Sequence, residues 1–172
     1  RDLLQQVNDT RNGQWPFATI LSCIDSRTSA ELIFDQGLGD IFSVRVAGNI
    51  VNTDILGSME FACKIAGSKL IVVLGHTKCG AIEYACNDIV LGNITNLLNK
   101  IKPAIQLETE TKAERNGNNR VFMNNVTTNN VHLTVKKIKE QSTLLAELEA
   151  SGEIKIIGGL YDLDTGLVTF FE

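Results

Sequence analysis

The sequence predicts a single α/β domain with a mainly parallel β-sheet. Strand-length apolar segments alternate with helix-like segments along the chain, an order typical of parallel sheets covered by helices. The chain has 172 residues, which suits one domain, and no repeat, linker or change of composition divides it. Near the carboxyl end, two β-rich segments flank Asp164, Thr165 and Gly166, so we expect a late antiparallel hairpin.

The first half of the chain predicts three strands. Segments rich in apolar and β-branched residues indicate them, at 17–23, 41–46 and 69–74. The third is bounded by glycine and lacks polar alternation, as in a strand buried on both faces. Two helical segments separate the strands, a short helix or turn at 29–36 and a helix from Thr53 or Asp54, as its cap, to about Ala66.

The second half predicts two more helices, a loop and the hairpin. The helices are expected at 81–100, stopping near Pro103, and at 129–150, closed by Gly152. The polar segment 106–120 between them predicts a long exposed loop. The hairpin strands are expected at 154–157 and 167–171.

Composition excludes several classes of partner. Sixteen basic and twenty acidic residues give a net charge of −4, which argues against nucleic acid or an anionic membrane surface. No apolar segment approaches the ~18 residues of a membrane span. Four cysteines are too few for a disulfide scaffold, and we expect Cys63 and Cys86 to be core thiols.

Two segments with metal-ligand chemistry follow predicted strands. Cys23 ends the first strand, and His76 and Cys79 follow the third. Ligands gather beyond the carboxyl ends of parallel strands, so these side chains converge if the two strands are neighbours. Two thiolates and an imidazole suit Zn²⁺ and leave a fourth position open, as in catalytic sites. On spacing alone, the alternative remains that His76 caps a turn and both cysteines are core residues.

Longer motifs resemble the β-class carbonic anhydrases. Cys23-Ile-Asp-Ser-Arg27, followed by His76-Thr-Lys-Cys-Gly80, is similar to the two site motifs of that family. Further segments are similar to other parts of it, at 42–49, 59–62 and 159–166. The resemblance runs from about Gln14 to Phe170 and is weakest over 106–130.

The resemblance implies a fold, a cofactor and an activity. The family has four parallel strands with a further strand at the edge, and its working unit is a homodimer or a multiple such as a tetramer, with active sites near the subunit interface. Residues 1–172 would form one such domain, and residues 1–12 would be the remnant of an N-terminal helical arm. One Zn²⁺ per chain, bound by Cys23, His76 and Cys79, would support the interconversion of CO₂ and bicarbonate.

The resemblance also assigns roles around the metal. Asp25 would accept a hydrogen bond from the zinc-activated water or become the fourth ligand in a closed state, and Arg27 would hold it in the first position. Four further residues would touch or enclose the substrate: Gln14, Phe42, Phe61 and Gly80.

Some alternatives stay open in the sequence. A carbonyl sulfide or carbon disulfide hydrolase would use the same zinc site, whereas a non-catalytic zinc module would have no use for Asp25 and Arg27. The compartment is unknown: the cytoplasm is our expectation, and the periplasm is the alternative because the chain begins at Arg1 without a methionine.

A departure from one subgroup of the family bears on regulation. That subgroup binds bicarbonate beside the active site with a tryptophan, an arginine and a tyrosine. Here Arg45 and Tyr161 match two of these positions, but Ile20 occupies the third and has no N–H to donate. We therefore expect no cooperative inhibition by bicarbonate, and an open site in which Asp25 pairs with Arg27.

Overall fold

A computed structural model describes residues 2–171, with a five-stranded sheet at the centre. The strands are β1 (Ala18–Ser22), β2 (Ile41–Arg45), β3 (Leu70–His76), β4 (Lys155–Tyr161) and β5 (Val168–Phe171). They lie in the order β2-β1-β3-β4-β5; the first four are parallel, and β5 is antiparallel at one edge. This confirms the predicted fold class.

Eight α-helices are described along the chain, with two short irregular helices among them. The α-helices are α1 (Leu3–Thr10), α2 (Ala30–Ile33), α3 (Thr53–Glu60), α4 (Gly80–Cys86), α5 (Gly92–Asn99), α6 (Lys102–Leu107), α7 (Arg120–Gln141) and α8 (Thr143–Ala150). The irregular ones are a 3₁₀ turn (Ala47–Asn49) and a π-helical turn (Phe61–Ile65). Among the described helices, none has the length and apolar character needed to cross a bilayer. Arg1, the first residue of the predicted arm, lies outside the described residues.

The central strands are buried on both faces. Every residue of β1 is buried, and so is every residue of β3 except Leu70. Successive side chains of a strand point to opposite faces. Accordingly, Leu21 and Val73 pack in a core with α3, α7 and α8, while Ile20 and Val72 pack with residues of α2 on the other face. This double burial explains the continuous apolar character of both segments.

Helix α7 lies very close to the sheet because two strand positions are glycines. A Cβ atom at Gly75 or Gly158 would lie 2.6 Å from a methyl group of Val131. Such a distance is shorter than van der Waals contact allows, so a larger residue would displace the helix. The two glycines therefore set the spacing between α7 and strands β3 and β4.

Several predicted helix boundaries were wrong. Asn52, rather than Thr53 or Asp54, caps α3, since its side chain accepts a hydrogen bond from the backbone N–H of Ile55. The helix predicted at 81–100 is two helices, because Asp88 adopts a left-handed conformation with φ 51° and ends α4. Pro103 lies in the first turn of α6, where a missing N–H leaves no hydrogen bond unmade.

The helix predicted at 129–150 was also wrong in extent. It begins nine residues earlier, at Arg120, and is interrupted at Ser142. Ser142 has extended backbone angles, and its hydroxyl accepts from the N–H of Leu145 to cap α8. The predicted loop 106–120 is confined to residues 108–119, because α6 ends at Leu107 and α7 begins at Arg120.

Candidate metal centre

The sheet places the three candidate ligands at the carboxyl end of its parallel strands. Cys23 follows β1 directly, His76 is the last residue of β3, and Cys79 immediately precedes α4. Strands β1 and β3 are parallel neighbours, with Ser22 opposite Leu74, so their carboxyl ends coincide. The predicted strand ended at residue 74, and its extension to His76 is a correction: the ligand lies on the strand and not in a loop after it.

The three ligand atoms form a compact, buried cluster. Both sulfurs and an imidazole nitrogen lie within 4.8 Å of one another, and the two Sγ atoms are 4.0 Å apart. The side chains of Cys23, His76 and Cys79 are at most 4% exposed. Such a cluster has the size and the donor chemistry of a zinc site with three protein ligands.

His76 is oriented so that one ring nitrogen faces the cluster. Its Nδ1 lies 2.7 Å from the carbonyl oxygen of Thr77, which can only accept, so this nitrogen carries the proton. Its Nε2 is buried and has no hydrogen-bond partner among the described residues. A buried polar atom without a partner is costly, and a bound cation would satisfy it. The unsatisfied Nε2 is the strongest indication that the cluster is built to bind a metal ion.

The environment of Cys23 favours a thiolate. The pKa of Cys23 is lowered because Cys79 can donate a hydrogen bond to its sulfur, an effect that outweighs burial. The backbone N–H of Gly48, 3.4 Å from the sulfur, lowers the pKa of Cys23 further. The same contact with Cys23, together with burial, raises the pKa of Cys79. The arrangement therefore favours the thiolate at Cys23 and the thiol at Cys79, and a bound cation would favour a second thiolate.

Asp25 stands beside the cluster in a bidentate pair with Arg27. Its Oδ1 accepts from Nε at 2.9 Å, and its Oδ2 accepts from a terminal nitrogen at 2.7 Å. These hydrogen bonds from Arg27 hold the pKa of Asp25 well below its usual range. The same Oδ2 lies 3.9 Å from Nε2 of His76. An ionised carboxylate oxygen is thus held next to the candidate metal position.

Arg45 holds the Cys23–Asp25 backbone, a role that the sequence did not predict. Arg45 donates from Nε to the carbonyl of Cys23 at 2.9 Å and from a terminal nitrogen to that of Asp25 at 2.6 Å. The hydroxyl of Thr28 also donates to the Asp25 carbonyl, at 2.9 Å. Arg45 lies opposite Ser22 across two parallel strands, a register that only the sheet order reveals. In this chain Arg45 therefore holds the backbone that carries Cys23 and Asp25.

The predicted substrate residues lie in different places. Gly80 adjoins Cys79 and begins α4, whereas Gln14 is exposed before β1. Phe42 and Phe61 line one groove of about 700 Å³ between β2 and α3. The residues lining that groove include Arg45 but none of the three ligands. The substrate roles of these four residues stay predictions.

The fold and the cluster define an α/β protein with a thiolate- and imidazole-rich site of the catalytic zinc type. Comparison with known proteins makes the class specific. The family model described as carbonic anhydrase matches residues 18–168. "Carbonic anhydrase 2" of Mycobacterium tuberculosis is 40% identical over 159 residues, which cover 90% of this chain and 73% of that protein. The carbonic anhydrase of Mycolicibacterium smegmatis is 36% identical over 160 residues, or 90% of this chain and 74% of that protein.

Solved structures agree on the fold. The β-carbonic anhydrase CafA of Aspergillus fumigatus superposes with a TM-score of 0.84 at 23% identity, over 98% of this chain and 81% of that one. One of the tetrameric β-carbonic anhydrases of Sordaria macrospora gives a TM-score of 0.81 at 22% identity, over 97% and 89%. The chain belongs to the carbonic anhydrase family of enzymes, and its fold is that of the β class. This confirms the resemblance found in the sequence.

Proposed function

We propose that this chain interconverts CO₂ and bicarbonate with one Zn²⁺ held by Cys23, His76 and Cys79. The observation that carries the proposal is the buried Nε2 of His76, which has no hydrogen bond to any residue that the structure describes. It lies beside two cysteine sulfurs and an ionised carboxylate. When bound, zinc would lower the pKa of a water molecule from ~15.7 toward ~7 and so supply a nucleophile at neutral pH.

Asp25 would orient that nucleophile. Because Arg27 keeps Asp25 ionised, Oδ2 can accept a hydrogen bond but cannot donate one. A water beside His76 would therefore direct its proton to Oδ2 and turn its lone pair toward CO₂. Arg27 holds both oxygens of the carboxylate, and this restricts Asp25 to one orientation. The pair is thus a positioning device for the reacting atoms, which a purely structural metal site would not need.

Stopped-flow CO₂ hydration tests the proposal. The zinc-loaded chain should accelerate hydration, a chelator should abolish the acceleration, and added Zn²⁺ should restore it. The same series with carbonyl sulfide examines the alternative substrate, and we expect the CO₂ rate to be higher. A zinc-loaded chain without CO₂ hydration would contradict the proposal.

The assembly is proposed to be a homodimer or a multiple of it, with the active sites near the interface. Helix α1 has no buried residue, and its apolar side chains Leu3, Leu4 and Val7 are 64%, 72% and 50% exposed. Gln6 accepts a hydrogen bond from the backbone N–H of Leu38, which fixes the helix to the body of the chain. A second copy of the chain would cover this apolar side. Analytical ultracentrifugation should give a dimer or tetramer, and a monomer at micromolar concentration would contradict this.

A further inference from the structure

The two residues between His76 and Cys79 are held by a turn far along the chain. Thr77 is buried, and its backbone N–H donates to the carbonyl of Tyr161 at 3.0 Å. Its hydroxyl accepts from the N–H of Leu163 at 3.0 Å and donates to a carboxylate oxygen of Asp162 at 3.4 Å. Both the main chain and the side chain of Thr77 are therefore fixed by the start of the β4–β5 turn.

Lys78 has an unusual conformation that the same turn supports. Its φ of 55° lies in the left-handed region, which residues other than glycine rarely adopt. Its ammonium group forms an ion pair with Asp164, and Asp164 also pairs with Arg120 at the start of α7. Strained backbone of this kind persists where neighbouring contacts determine it. Here the ion pair with Asp164 supplies such a contact from the turn.

The turn itself is fixed by its own hydrogen bonds. The N–H of Gly166 donates to the carbonyl of Asp162 at 2.8 Å, and the N–H of Asp162 donates to the carbonyl of Leu167 at 2.9 Å. A carboxylate oxygen of Asp162 also accepts from the N–H of Asp164 at 2.9 Å. These hydrogen bonds do not involve residues 76–79, so the turn holds the carboxylates of Asp162 and Asp164 in place independently of the candidate ligands.

The contacts of Thr77 reach the candidate metal through His76. The ring of His76 donates from Nδ1 to the carbonyl of Thr77, so the direction of that carbonyl sets the direction of Nε2. We propose that the turn 162–166 positions His76 and Cys79 for the metal, with Thr77, Asp162 and Asp164 as positioning residues. This inference rests on the proposed function, because it requires that the cluster binds zinc.

The experiment measures zinc affinity of the full chain by competition with a chelator, and the d–d absorption spectrum of the cobalt-loaded form. Thr77→Val keeps the side-chain shape but removes the hydroxyl, and we expect zinc affinity to fall ~10–100-fold, as for other partners of metal-bound histidines. The cobalt bands should shift as well, because ligand geometry changes. Thr77→Ser restores the hydroxyl and should return affinity and spectrum close to those of the wild type.

Thr19→Val is the matched control. Thr19 is also buried and its hydroxyl is hydrogen-bonded to that of Ser68 at 3.2 Å, but it lies near the amino end of β1, away from the cluster. This variant should lose some stability and keep both zinc affinity and the cobalt spectrum. Equal losses in Thr19→Val and Thr77→Val would overturn the positioning role, and so would wild-type affinity in Thr77→Val.

Two further results distinguish a failure of this inference from a failure of the proposed function. If the wild type binds neither zinc nor cobalt, the proposed function fails, whatever the variants do. If Thr77→Val does not fold, Asp164→Asn becomes the test variant, because Asp164 is exposed and pairs with Lys78. Its control is Asp88→Asn, which removes another exposed ion pair, that between Asp88 and Lys102. Asp164→Asn should weaken zinc binding by up to about 5-fold, the range of a surface ion pair, and Asp88→Asn should not. Equal affinities in these two variants would overturn the inference.

Discussion

Asp25 and Glu108 are both carboxylates paired with an arginine, yet their surroundings differ. Asp25 receives its side-chain and backbone hydrogen bonds from Arg27 alone, and its Oδ2 remains near Nε2 of His76. Glu108 receives hydrogen bonds from three residues of two segments: Thr111 and Arg115 of its own loop, and Asn125 of α7. One carboxylate keeps an oxygen available beside the candidate metal, whereas the other is enclosed.

The difference separates a carboxylate that can act on a substrate from one that stabilises a loop. The Glu108 side chain is 2% exposed and closes the loop 108–119 against α7. Arg115 also donates to the carbonyls of Ile105 and Thr111, and its guanidinium lies 4.8 Å from the ring centre of Phe122. Charge and an arginine partner are thus shared features, and only the number and origin of the other contacts distinguish the two roles.

Replacement of Asp25 should have the largest effect on activity. Asp25→Asn keeps the size of the side chain but replaces one carboxylate oxygen with an amide N–H₂ donor. If Arg27 donates to the remaining oxygen, the nucleophile faces a donor in place of its acceptor. We expect CO₂ hydration to fall by about 100-fold or more, the scale on which a positioned proton acceptor contributes, with zinc content unchanged. Stopped-flow rates and metal analysis on the same preparation check this. A variant with the wild-type rate would remove Asp25 from the mechanism.

Replacement of Glu108 should affect stability instead. In Glu108→Gln, the donors from Thr111 and Arg115 face a neutral amide, and part of the buried network is left unsatisfied. We expect the free energy of unfolding to fall by ~1–3 kcal/mol, with CO₂ hydration at the wild-type rate at 25 °C. Urea denaturation followed by circular dichroism measures the first quantity. A loss of activity with unchanged stability would reverse the roles assigned to the two carboxylates.

The sequence could predict the Asp25 pair but not the Glu108 network. Asp25 and Arg27 are two residues apart and follow a recognisable strand, so their contact is local. Glu108 lies in a polar segment that predicted an exposed loop, and this was wrong for Glu108, which is 3% exposed. Its burial depends on Asn125, which lies on a helix that begins nine residues before the predicted start. Polarity alone cannot reveal a tertiary partner.

The same division holds for the fold. The approximate positions of the strands and their mainly parallel direction follow from local apolar segments and from the rules of α/β connection, and both were predicted. The order of the strands was not predicted, and the strand expected at 154–157 extends to Tyr161. The helix boundaries depend on single residues with unusual backbone angles, such as Asp88 and Ser142, whose types allow several structures. Arg45 was placed on the correct strand, but its contacts with the carbonyls of Cys23 and Asp25 require the register between β1 and β2.

The smallest effect concerns acid stability. Burial raises the pKa of Glu108, but its hydrogen bonds outweigh burial and lower the pKa to about 2, from an ordinary value of 4.5. Between these values the unfolded chain binds more protons than the folded one, so stability increases with pH. The contribution of Glu108 is therefore complete above about pH 4.5 and is lost as the pH falls toward 2. Urea unfolding of wild type and Glu108→Gln between pH 3 and pH 6 should show a steeper dependence in the wild type, and parallel profiles would contradict the assignment.

The central claim is that Cys23, His76 and Cys79 hold the metal that supports CO₂ hydration. The most direct measurement is zinc content together with the CO₂ hydration rate in Cys79→Ser, with Cys86→Ser as a matched control at another buried cysteine. We predict that Cys79→Ser loses zinc and activity together and that Cys86→Ser keeps both. Full zinc occupancy in Cys79→Ser, or equal losses in the two variants, would contradict the account.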